Sequence, residues 1–150
     1  MRHRTLTIIG SSLALIAGMG LCSVADAATA KAAPAAKAEQ EIPATVEGIW
    51  QAIDQKTVEL DKVIQGGALD QVHHHAFAIR DLVAALPARS QSLPADKLAK
   101  VKSNVKVVAT LAQRLDATGD AKDKAGVRSN FDKLKKVLEG MRANYPKAPQ

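Results

Sequence analysis

Cysteine is nearly absent from this chain of 150 residues: Cys22 is the only one. A single thiol makes no intrachain disulfide and supplies no cysteine-based zinc site. Aromatic residues are almost as scarce, with one Trp, one Tyr and two Phe. That scarcity argues against a β-sandwich, which draws on aromatic and β-branched side chains. Catalytic motifs are missing as well. There is no Cys-x-x-Cys-His, which excludes covalent c-type haem. There is no His-Glu-x-x-His, no P-loop and no Gly-x-Gly-x-x-Gly behind a strand. A Ser/His/Asp triad has no local signature either. The chain is therefore read as non-catalytic, not as an enzyme. What it does have is 47% apolar residues, enough to bury a core at a length that suits one domain.

Residues 1–27 read as a secretory signal peptide. Arg2 and Arg4 make a positive start, Leu6 to Leu21 is apolar, and Ala25-Asp26-Ala27 fits the small-x-small cleavage pattern. Cleavage there removes Cys22 and leaves no transmembrane span. Two Arg and one Asp go with it, so 19 basic and 14 acidic residues remain, net +5. The expected destination is the periplasm. Export also speaks against nucleic acid as a partner, despite a sequence pI near 9.6.

Residues 28–43 are rich in Ala, Lys and Pro without a periodic apolar face, and read as a flexible tether. From Ala44 the apolar residues keep helical time. The first helix is expected over about 44–65, on Val46, Ile49, Ile53, Leu60 and Ile64, broken by Gly66-Gly67. The second covers about 68–86, on Leu69, Val72, Ala76, Ile79, Val83 and Leu86, and Pro87 is expected to end it. The third opens at Pro94, carries Leu98, Val101, Val105, Val108, Ala112 and Leu115, and closes at Gly119. The fourth covers about 120–145, on Val127, Phe131, Leu134, Leu138, Met141 and Tyr145, and stops at Pro146. Each stripe is a seam of the kind that packs at a shallow angle. Short connections make sequential helices antiparallel. The expected fold is all-α: an up-down-up-down antiparallel four-helix bundle over 44–146, with a tail at 147–150.

Charge divides unevenly along the bundle. Residues 44–86 hold three basic and six acidic side chains, net −3. Residues 94–147 hold thirteen and six, net +7, led by Lys97, Lys100, Lys102, Lys106, Lys133, Lys135 and Lys136. Solvated helix faces account for this. So does a basic face on helices three and four for a periplasmic protein or an anionic envelope surface.

His73-His74-His75 is the one unusual constellation, and holds every histidine beyond the signal segment. Imidazole is a common ligand of Cu and Zn. Consecutive helical residues point about 100° apart, so one ion cannot readily take all three. Asp70, His73 and His74 stand at i, i+3 and i+4 on one face. Folding the hairpin about Gly66-Gly67 brings Glu59 near His74, and a Glu59/His73 or Glu59/His75 pair can form, depending on rotation. Asp70, Glu59 and a histidine would make a three-ligand site for a divalent transition metal. Without metal, Asp70 favours the helix dipole, His73 and His75 pack at the seam edge, and His74 is solvated.

Over about 44–146 the helix order and length resemble small periplasmic four-helix bundles, including the soluble b-type cytochromes. The likeness extends to Met141-Arg142-Ala143-Asn144-Tyr145 at the end of the last helix. That resemblance implies haem held by a Met on the first helix and a His on the last. Here the first helix has no Met and the last no His, so neither ligand carries over. The chain also resembles small secreted helical proteins that accompany bacterial metal and efflux systems.

Overall fold

The computed structural model describes residues 41–146. The expected signal peptide (1–27), most of the expected tether (28–40) and the expected tail (147–150) lie outside the described residues. Four helices run in order: α1 Val46–Gly66, α2 Val72–Arg89, α3 Ala95–Asp120 and α4 Lys124–Arg142. A 3-10 turn, Leu69–Gln71, leads into α2. No strand occurs among the described residues.

Local chemistry sets the ends of α1. Thr45 is extended and its side chain accepts from Gly48 N at 3.1 Å, satisfying one free first-turn donor. At the far end Gly67 takes φ 75°, which a side chain would resist. Its N–H donates to Ile64 O and that of Ala68 to Val63 O, the paired bonds of a Schellman stop.

Two expected boundaries move. Pro87 does not end α2, which continues to Arg89. The missing N–H forfeits the one bond to Val83 O, and the open carbonyls of the last turn are capped by side chains beyond it. Ser90 Oγ donates to Leu86 O at 2.6 Å and Gln91 Nε2 to Pro87 O at 2.6 Å. Nor does Gly119 close α3. The helix runs on to Asp120, and the left-handed residue that turns the chain is Lys122, φ 54°. Gly119 serves a close approach instead. A Cβ there would lie 2.8 Å from Leu69 O. Asp123 then caps α4, accepting from Gly126 N at 2.9 Å.

The seams meet in one core. Leu69, Val72, Ala76, Ile79, Val83 and Leu86 are all buried, and Phe131, Leu134 and Met141 are fully so. Each large side chain removed from water contributes about 1.5–3 kcal/mol. Sequential helices pack extensively, whereas α1 and α4 meet along a thinner seam. Ion pairs mark that seam: Arg142 with Asp54 at 2.8 Å and Arg128 with Asp61 at 3.0 Å. The α1 partner rises in number as the α4 partner falls, so these helices are antiparallel too. Exposed pairs of this kind stabilise by about 1 kcal/mol or less, so the apolar seams dominate. No helix among the described residues is long and apolar enough to cross a membrane.

Candidate functional site

The histidine tract occupies the first turn of α2. Val72 and Ala76, both fully buried, set the rotation of that turn. His74 is therefore exposed, while His73 and His75 flank the seam half-buried. The rings of His73 and His74 lie 3.8 Å apart at 42°.

His75 faces α1. Its Nδ1 stands 3.3 Å from Glu59 Oε2. The α1 stripe permits this because Lys56 and Thr57 fall between the buried Ile53 and Leu60, leaving a half-polar gap. Lys56 Nζ donates to Glu59 Oε2 at 2.7 Å and Gln55 Nε2 to Oε1 at 3.1 Å. The Lys56 hydrogen bond holds the Glu59 carboxyl below its usual range. Burial pushes the His75 imidazole down, against the pull of Glu59, and Lys56 and His74 push the same way as burial. Near neutral pH the pair is thus a carboxylate beside a neutral ring. With Nδ1–H turned to Glu59, Nε2 keeps a lone pair.

Asp70 belongs to a different group. Its Oδ2 accepts from Gln71 Nε2 at 2.9 Å, which lowers its pKa, with help from the charges of Lys122 and His73. So the fold brings Glu59 to His75, and Asp70 towards His73, but does not bring the two carboxylates together. Among the described residues no three His, Asp or Glu side chains converge as a metal cage. The three-ligand combination of Asp70, Glu59 and one histidine is not assembled.

A second concavity escaped the sequence. Trp50 and Tyr145 meet edge to face, ring centres 5.6 Å apart, where α1 begins and α4 ends. The Arg142 guanidinium lies 4.6 Å over the Trp50 ring. Periodicity treats Trp50 and Tyr145 only as seam residues. The available signal was topological: antiparallel order puts the start of the first helix beside the end of the fourth.

The basic half is also laid out. Lys100, Lys102, Lys106, Lys133 and Lys136 are exposed, and none is in an ion pair among the described residues. Lys135 differs, pairing with Asp132 at 3.1 Å.

No family model, curated protein or solved structure matches this chain.

Proposed function

We propose that this is a non-catalytic, exported helical-bundle protein that takes up a divalent transition metal, copper or zinc, at the histidine tract of α2. The observation that carries it is the Glu59–His75 pair. An ionised carboxylate 3.3 Å from one ring nitrogen orients a neutral imidazole for ligation through the other. His73 and His74 stand in the same turn and can contribute further nitrogen donors. One or two nitrogen donors with open positions for water give a modest, exchangeable site, suited to passing metal on rather than locking it into the fold. The signal segment 1–27 supports a periplasmic setting.

The test is titration of the chain lacking residues 1–27 with Cu(II) and Zn(II) by calorimetry. Saturable binding tighter than millimolar, lost when His73, His74 and His75 are all changed to Ala, supports the reading. Weaker binding, or binding unchanged in the triple variant, overturns it.

A second reading rests on the lysines of α3 and α4 that form no ion pair among the described residues. They support a surface that docks on an acidic periplasmic protein or anionic envelope lipid. Lys→Glu changes at 100, 102, 106, 133 and 136 should then abolish envelope retention and salt-sensitive pull-down. Unchanged retention removes this reading without touching the first.

A further inference from the structure

The cleft between the start of α1, the α2–α3 connection and the end of α4 has a volume of about 980 Å³. It lies beside the thinner of the bundle's seams, far in sequence from the histidines. Its lining includes the apolar or aromatic side chains of Val46, Trp50, Leu93 and Tyr145. Ser90 Oγ and Tyr145 Oη, 2.9 Å apart, tie the α2–α3 connection to the end of α4 and fix the shape of the wall.

Charge in the wall is uneven. Arg142 is spent on Asp54. Arg89 and Lys97 also line the cleft, and neither forms an ion pair among the described residues. Of the two carboxylates that line the cleft among the described residues, Asp54 is held by Arg142 and Glu47 is in no ion pair. Two unpaired cations against one anion leave room for a single negative charge. Behind the wall, Trp50 Nε1 is buried from solvent and has no hydrogen-bond partner among the described residues. Buried donors normally have acceptors. Pro94 opens α3 without a side-chain cap, so the positive end of that helix abuts the cleft as well.

From these features we infer that the cleft is a binding site for a small aromatic monocarboxylate. Its ring packs with the Trp50–Tyr145 pair and its carboxylate sits between Arg89 and Lys97. Aromatic rings favour edge and offset contact with such a pair. A volume of this order suits a ligand of metabolite to drug size. A carboxylate is matched by charge-assisted hydrogen bonds, which a neutral isostere cannot make.

Trp50 is the only tryptophan in the chain, so its signals come from this wall, which it shares with a smaller cleft against α4. The experiment titrates the protein with 4-phenylbutyrate, and separately with its neutral amide. Trp50 emission, excited beyond the ligand's absorption, and the single indole N–H resonance are followed. The expected result is saturation by the acid, about tenfold tighter than by the amide, roughly the effect of one charge-assisted contact. The Arg89→Gln/Lys97→Gln variant should bind acid and amide alike, with an unchanged thermal midpoint. Equal binding of acid and amide by the native chain, no saturation, or a preference that survives in the variant would overturn the inference. Loading the histidine tract with Zn(II) should leave the acid titration unchanged, so this result stands apart from the metal reading.

Discussion

His75 Nδ1 on α2 lies 3.3 Å from Glu59 Oε2 on α1, and Lys56 Nζ holds that same oxygen at 2.7 Å. The arrangement is a half-buried chain of ammonium, carboxylate and imidazole across the first hairpin. Protonating the imidazole adds a second cation beside Lys56 in a partly desolvated place. Burial outweighs the attraction of Glu59, so the neutral ring is preferred.

Stability should therefore fall on acidification in two windows. The His75 pKa is lower folded than unfolded, so its contribution is complete above about 6.5, the unfolded value. It is lost as pH falls through the folded pKa. Glu59 is also lowered, and its contribution is complete above about 4.3 and lost below that. Thermal midpoints measured from pH 8 to 3 with a chelator present should show both declines. His75→Gln should abolish the upper one and leave the lower. Parallel curves for native and variant between pH 7 and 5 would contradict this account.

Metal uptake should follow the same proton. Ligation needs the neutral ring, so protons compete with metal. Because the His75 pKa is depressed, competition should begin at lower pH than for a free imidazole near 6.5. Zn(II) calorimetry on a His73→Ala/His74→Ala variant isolates that nitrogen. Its affinity should hold down to about pH 6.5 and decline below. A decline already complete at that pH would show that His75 does not ligate.

The seams were legible because their period is set by the helix itself. Leu69, Val72, Ala76, Ile79, Val83 and Leu86 were read at 3/4 spacing and all are buried. The same rotation put His74 outside, as expected. Breakers were less legible, because Gly and Pro signal more than one thing. Pro87 forfeits only the bond to Val83 O, and α2 runs on to Arg89, where Ser90 and Gln91 cap the last-turn carbonyls of Leu86 and Pro87. Gly119 looked like a stop yet serves a close approach, a need set by another helix. The partner of the tract depended on hairpin rotation: sequence left Glu59 open to His73, His74 or His75, and the fold chose His75. The Trp50–Tyr145 contact joins residues near opposite ends of the bundle, and no local pattern encodes it.

Phe131 tests the core. It is fully buried on α4, with Lys135 Nζ 4.8 Å and the Arg128 guanidinium 5.9 Å from its ring centre. Phe131→Ala removes the ring and leaves a cavity, at a cost of about 3–5 kcal/mol. Urea denaturation of native and variant measures it. A loss under about 1 kcal/mol would place the ring outside a packed core.

Two glycines in the basic half should respond with opposite sign to the same substitution. Alanine is the better helix former by about 1 kcal/mol, so propensity alone predicts that both Gly→Ala changes stabilise. Gly140 lies on the exposed face of α4, and a Cβ there meets nothing within 4 Å. Gly140→Ala should stabilise by about 0.5–1 kcal/mol. At Gly119 the added methyl meets Leu69 O at 2.8 Å and Val72 Cβ at 3.4 Å. The nearer atom is backbone in the 3-10 turn before the histidine tract, so it cannot swing aside like a side chain. Overpacking of this kind costs about 1–3 kcal/mol, which outweighs the propensity gain. Gly119→Ala should therefore destabilise, and the displaced turn should shift the His73 and His75 imidazole resonances. Gly140→Ala should leave them in place. If both variants gain stability, α3 does not approach the α1–α2 connection as closely as described.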